Sequence, residues 1–218
     1  MLHVLRQQDE FELVGLLTTV NSAFNRVAMH GTRVELLEAQ AAAAGLPLIK
    51  VPLPWPCSNN DYEAIMKKTC AQAVAQQVDV MAFGDLFLRD IRAYREKQLE
   101  RSGLTPIFPL WEIPTRVLAE QMIAGGLKAR LTCVDPKYLT KDFAGRKFDR
   151  TLLVDLPATV DPCGENGEFH TFACAGPMFS REIEVNHGEI VERDGFVFAE
   201  MQRASEPPPK AAFHFPAH

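Results

Sequence analysis

Leu13-Val14-Gly15-Leu16-Leu17-Thr18-Thr19-Val20, then Thr32-Arg33-Val34-Glu35-Leu36-Leu37-Glu38-Ala39-Gln40-Ala41-Ala42-Ala43-Ala44-Gly45, then Leu46-Pro47-Leu48-Ile49-Lys50-Val51, is the stretch that decides the fold. The first segment is a nearly continuous apolar run rather than an alternating one, the form of a strand buried on both faces. The second reads as a helix. Thr32 with Glu35 three residues on has the spacing of a capping box, and Gly45 is a stop signal. The third is a second apolar run. A strand, a crossover helix and a strand make a parallel pair, and such crossovers are right-handed almost without exception.

The same alternation continues outward. Val78-Asp79-Val80-Met81-Ala82-Phe83, Pro106-Ile107-Phe108 and Ala129-Arg130-Leu131-Thr132-Cys133-Val134 are further strand candidates. Between them lie a helix starting at Asn60 with Glu63 and reaching about Gln77, one from Arg89 to Arg101 closed by Gly103, and one opened by Pro114 and stopped at Gly125-Gly126. Residues 1–135 thus predict an α/β domain: an open parallel sheet with helices on both faces. After Pro136 the pattern changes. Glu182–Val185, Glu189–Glu192 and Phe196–Phe198 alternate, separated by Asn186-His187-Gly188 and by the hairpin signal Asp194-Gly195. That predicts a smaller α+β domain over 136–203 with an antiparallel meander, and residues 204–218, with Pro207-Pro208-Pro209, read as a flexible tail.

Composition narrows the function. Lys and Arg number 23 against 28 Asp and Glu, a net charge of −5, and the charges are scattered. No basic stripe proposes a nucleic-acid or anionic-membrane surface. No apolar run approaches the roughly 18 residues of a membrane helix and no signal core opens the chain, so the expected location is the cytoplasm. Five cysteines, far apart and without a Cys-x-x-Cys pair, suggest neither a disulfide framework nor a zinc ribbon. Leu2 to Gln8 reads as the last two turns of a helix, so the first strand and phosphate-binding loop of a doubly wound domain are expected to be missing; a short helix packed on the outside is the other reading.

Three stretches carry candidate chemistry. Asp161-Pro162-Cys163-Gly164-Glu165-Asn166-Gly167-Glu168-Phe169-His170-Thr171-Phe172 crowds Glu165, Glu168 and His170 between two glycines, which suits proton transfer or metal binding; a turn with solvated carboxylates leading into a strand fits as well. Cys163 with His170 could form a nucleophile and base only if the loop folds back, and no Gly-x-Ser-x-Gly elbow or zinc spacing accompanies them; an inert thiol in a turn is the favoured reading. Phe83-Gly84-Asp85 ends a strand and is followed by Arg89, Arg92 and Arg95, where a phosphate or carboxylate could be clamped or surface ion pairs could form. Met29-His30-Gly31 precedes a helix, a place where a nucleotide can meet backbone amides.

These stretches, with Leu-Leu-Glu-Ala-Gln-Ala at 36–41, Gly-Leu-Pro-Leu at 45–48, Pro-Leu-Trp at 109–111, Gly-Arg-Lys-Phe-Asp at 145–149 and Gly-Glu-Asn-Gly-Glu-Phe-His-Thr-Phe at 164–172, resemble the diphthine–ammonia ligase family of PP-loop ATP pyrophosphatases over roughly residues 1–185. The resemblance implies a Rossmann-like adenine nucleotide alpha hydrolase domain and a smaller substrate domain. It implies ATP with Mg2+, a small-molecule or protein carboxylate and ammonia as reactants, and adenylation followed by amide formation. Met29 and His30 would then lie near the adenosine and Gly84 and Asp85 near the phosphates. Glu165, Glu168 and Thr171 would belong to the substrate-activating loop, with His170 where some relatives carry Glu. Arg92 as a clamp is an inference from charge and placement. The family's Ser-Gly-Gly-Lys-Asp-Ser-type loop would precede Met1 and nothing here matches it, so the expected chain is an impaired ligase or a non-catalytic nucleotide- or metabolite-binding module.

Overall fold

The computed structural model describes residues 1–24, 26–27 and 31–204. In chain order these form α1 (Leu2–Arg6), β1 (Leu16–Asn21), β2 (Arg26–Val27), α2 (Val34–Ala44), β3 (Leu48–Leu53), α3 (Asn59–Ala75), β4 (Val80–Ala82), α4 (Arg89–Leu99), β5 (Thr105–Ile107), α5 (Thr115–Ala124), β6 (Lys128–Val134), α6 (Arg150–Asp155), β7 (Phe169–Ala175), β8 (Val185–Arg193) and β9 (Phe196–Arg203). None of the described helices is long and apolar enough to cross a membrane.

The strand–helix–strand readings form as parallel pairs. β1 runs beside β3 from Leu16↔Leu48 to Asn21↔Leu53, and β4 beside β5 from Val80↔Thr105 to Ala82↔Ile107. The single continuous sheet does not form among the described residues. The strands divide into β2-β1-β3, β4-β5 and an antiparallel β7-β6-β9-β8 sheet. Ala129–Val134, expected in the parallel layer, is β6, and it pairs antiparallel with β7 on one side and β9 on the other. Antiparallel partners come to it from the later chain, so its register is set there. Nor are the parallel strands buried on both faces: Leu17 and Ile49 are exposed and no residue of β4 is fully buried.

Helix ends follow local chemistry, with shifts. The α3 cap is Ser58, two residues before the expected Asn60: Asp61 N–H donates to Ser58 Oγ at 3.2 Å and Ser58 N–H donates to Asp61 Oδ2 at 3.3 Å, a reciprocal capping box. Thr32 does not cap α2. Its side chain is buried, its carbonyl accepts from Val27 N–H, and Arg33 takes the N-cap position without a side-chain bond. Gly45, left-handed, ends α2 as expected, and Pro114 and Gly125 bracket α5.

α1 is tied inward. Leu5 is buried, and the Arg6 guanidinium donates to the carbonyls of Ala44 and Met178. The main core lies on one face of the antiparallel sheet, where Leu131, Val134, Phe169 and Val197 meet Ala119 of α5 and Leu152 of α6. On the other face Leu36, Ala39 and Ala43 of α2 pack on Phe172 and Cys174, the alanines allowing close approach. α2 therefore serves both a parallel pair and the antiparallel sheet.

The three expected C-terminal strands are two. β8 runs through Asn186-His187-Gly188, where a turn was expected, and absorbs the extra residue as a bulge between His187↔Met201 and Ile190↔Ala199. Asp194-Gly195 does make the hairpin, both residues at positive φ. Of the expected tail, Ala204 donates its N–H to Glu184; 205–218 lie outside the described residues.

Candidate functional site

Residues 161–168 form a loop before β7 that is organised from inside by two carboxylates. Asp161 Oδ2 accepts from the N–H groups of Cys163 and Glu165, both at 3.0 Å. Glu168 accepts three donors: Asp161 N–H at 2.9 Å, Asn166 N–H at 3.0 Å and Asn166 Nδ2 at 2.9 Å. Glu168 is only 1% exposed, so these bonds take the place of water around its side-chain oxygens. Gly164 has φ +70°, and a Cβ there would stand 2.6 Å from the Phe169 carbonyl oxygen, which leaves glycine as the residue that fits. Of the carboxylates of this turn Glu168 is withdrawn from solvent, while Asp161 and Glu165 are half-buried.

Glu165 points out of the loop instead. Its Oε1 accepts from Leu86 N–H at 2.7 Å, joining the loop to the segment beyond the carboxyl end of β4. Two stretches far apart in sequence thus meet: Gly84-Asp85 and Gly164–Glu168. Burial raises the Glu165 pKa, the Leu86 N–H opposes this, and the nearby charges of Asp85 and Asp161 raise it further. A carboxylate held reluctant to ionise beyond the end of a parallel strand is suited to taking or giving a proton.

The arginines beside it are engaged. Arg95 Nε donates to Asp85 Oδ2 at 2.7 Å and its guanidinium lies 4.6 Å from the Phe83 ring centroid. Arg92 Nε donates to Glu96 at 2.8 Å, while its guanidinium lies 4.7 Å from each of the Phe108 and Trp111 ring centroids. Of the two alternatives open for Arg92, this places it in an ion pair framed by aromatic rings.

His170 and Thr171 are half-buried on β7, opposite Cys133 and Leu131 of β6, and Thr132 Oγ1 donates to the His170 carbonyl at 3.2 Å. Met29 and His30 lie outside the described residues. Cys163 has the surroundings of an inert thiol. Its Sγ donates to the Thr115 carbonyl at 3.3 Å, and burial, reinforced by Asp161 and Glu165, pushes the thiol pKa up to about 12. Asp161 is the residue that sequence reasoning overlooked; an Asp directly before Pro, with Gly three residues on, is the turn signal that marks it.

A resident metal does not fit this carboxylate set. Among the described residues no three His, Cys, Asp or Glu side chains converge as a cation site, and Asp161, Glu165, Glu168 and Asp85 all accept from nitrogen donors.

The diphthamide synthase C-terminal domain model matches residues 114–206, a span that contains the whole loop. Diphthine–ammonia ligase of Schizosaccharomyces pombe is 31% identical over 101 residues, 44% of this chain and 17% of that protein. The Bos taurus enzyme of that name is 26% identical over 153 residues, 68% of this chain and 57% of its own, and the Homo sapiens one 26% over 148 residues, 66% and 55%. The chain spans about half the length of these two relatives. The domain match covers the 164–172 run and these relatives extend the similarity beyond it, so the chain is similar to the diphthine–ammonia ligase family over its C-terminal part and much of what precedes it.

Proposed function

We propose that the chain carries the acceptor half of an ATP-dependent amide ligase acting in the cytoplasm, with Glu165 as its proton-handling group. The observation that carries this reading is the Glu165–Leu86 bond, which brings the 164–172 loop against the Gly84–Asp85 segment. In this reading residues 1–135 form the nucleotide-binding unit and 136–203 the substrate unit, with α2 shared between them. Gly84 and Asp85 face ATP.

The chemistry balances in two steps. A carboxylate oxygen of the acceptor attacks the α-phosphorus of ATP, releasing pyrophosphate and leaving an acyl-adenylate. Ammonia then attacks the acyl carbon, AMP leaves with the electron pair, and the proton lost by nitrogen goes to a base, here Glu165. Glu168 keeps the loop in shape, and His170 and Thr171 contact the acceptor. The carboxylate set does not retain magnesium by itself, so no step is assigned to one.

The test is AMP and pyrophosphate release by the chain joined to a Ser-Gly-Gly-Lys-Asp-Ser-type upstream segment. Release should require both ammonium and a carboxylic acid, diphthine-bearing protein among the acids tried, and Glu165→Gln should slow it by about 10²-fold. ATP turnover indifferent to ammonium, or nucleotide binding without turnover for every acid tried, would return the chain to a nucleotide- or metabolite-binding module. The engagement of Asp85 with Arg95 is the observation that favours that second reading.

A further inference from the structure

Away from that loop, four charged side chains from three segments converge. Glu200 of β9 accepts at Oε2 from Arg26 at 2.9 Å and Arg33 at 3.3 Å, and at Oε1 from Arg193 at 2.7 Å. The Glu200 side chain is 12% exposed. Burial by itself would raise its pKa; the hydrogen bonds from Arg26 and Arg193, with the charges of Arg26 and Arg33, bring it below the usual carboxylate value. Three positive charges against one negative leave two in excess. Among the described residues no other carboxylate pairs with these three arginines.

The surroundings hold the surplus in place. The Arg33 Nε is buried and has no acceptor among the described residues. Arg33 is also the N-cap of the 11-residue α2, which no side chain caps, so the positive end of the helix dipole adds to the same place. Glu35, the acid of that first turn, is exposed. Arg193 lies over the Phe198 ring at 5.4 Å. Arg26 Nη1 donates to the Gly31 carbonyl at 2.7 Å, and Gly31, at φ +63°, stands so close to Phe198 that a Cβ would come within 2.8 Å of the ring. Arg26 and Gly31 are thus seated on β9. Phe198 pairs with Cys133 and Cys133 with His170, so the cluster ends a row across three strands, about 10 Å in all, that begins beside the 164–168 loop.

We propose that Arg26, Arg33 and Arg193 form an oxyanion-binding site for the phosphate or carboxylate group of a small molecule, with Glu200 holding the guanidinium groups in a converging arrangement. Guanidinium forks match both groups in bidentate geometry, and two uncompensated charges beside an uncapped helix end supply the attraction. Arg26 and Arg33 flank in sequence the Met29-His30 pair that the resemblance assigns to adenosine, and anion binding by the three guanidinium groups does not require that the chain turn over ATP.

The experiment follows the arginine Nε–Hε signals of the 15N-labelled full chain while sodium phosphate is added in one arm and sodium acetate in the other, at constant ionic strength held with chloride. Saturable shifts of the Arg26, Arg33 and Arg193 signals are expected, and the arm that saturates at the lower concentration identifies the group. Arg33→Gln should weaken binding about tenfold. Should that variant fail to fold, Arg193→Lys keeps the charge and removes the fork, and it too should weaken binding. Shifts that stay linear in both arms and match those of the exposed Arg181 would overturn the proposal. So would saturation left unchanged by whichever of the two variants folds.

Discussion

β6 and β1 are both apolar strands, and the molecule buries them to very different depths. Leu131, Cys133 and Val134 of β6 are at most 1% exposed, whereas Leu17 of β1 is 37% exposed. β6 has a strand on each edge, with α5 and α6 packed on one face of its sheet and α2 packed on the other through residues of β7 and β9. β1 has a full-length partner in β3 and only the two residues of β2 on its other edge. Depth of burial follows the number of neighbours a strand acquires, and hydrophobicity by itself specifies only that the segment is a strand. The contrast extends to polar groups. The antiparallel side can bury Glu168 because its loop supplies three donors, while Asp85, on the parallel side, is met by an arginine from the next helix.

The strongest challenge to this contrast is Glu168→Ala. It removes the buried acceptor that the N–H groups of Asp161 and Asn166 and the Asn166 amide share, and stability should fall by about 3–5 kcal/mol in urea denaturation. A loss under about 1 kcal/mol would mean that the loop does not depend on its internal carboxylate. Next comes a matched pair of strand leucines. Leu131→Ala should cost about 2–5 kcal/mol and Leu17→Ala less than about 1 kcal/mol, because only the first leaves a cavity. Equal costs would erase the difference between the two regions.

The finest measurement is the pH dependence of stability. Glu200 has a folded pKa below its unfolded value, so its contribution is present above the usual carboxylate pKa and is lost as pH falls through the folded value. Glu165 has the opposite sign. Its folded pKa is raised, so its contribution favours the folded state in acid and is lost as pH rises from the usual carboxylate value through the folded one. Urea midpoints from about pH 3 to 8 should therefore show Glu200→Gln softening the loss in acid and Glu165→Gln softening the decline above the usual carboxylate pKa. Parallel profiles for the two variants would show that one of these environments is wrongly described.

Much of the local structure could be read directly from the chain. Gly45 ends α2 and Asp194-Gly195 makes its hairpin because each requires only backbone geometry that a few neighbouring residues impose. The β1-α2-β3 and β4-α4-β5 units formed in parallel because a crossover helix permits little else. Of the candidate site, the 164–172 run was visible as a dense cluster of glycine and titratable groups. Which carboxylate turned inward was not. Glu165 and Glu168 are both acids in one loop, and their fates differ by a hydrogen bond to Leu86 that comes from the far end of the fold.

By itself the sequence determined the β1-α2-β3 and β4-α4-β5 order, the hairpin, the glycine-permitted turn at Gly164 and the family resemblance, which rest on residues near one another in the chain or on short motifs. Only the tertiary structure decided that β6 leaves the parallel layer, that α2 packs on Phe172 and Cys174, that Glu168 is saturated while Glu165 reaches Leu86, and that Arg26, Arg33 and Arg193 share Glu200. The reason is physical. Pairing partners, burial and charge neighbours depend on which distant segments compete for the same edge, face or donor, and that competition is resolved only when the chain closes on itself.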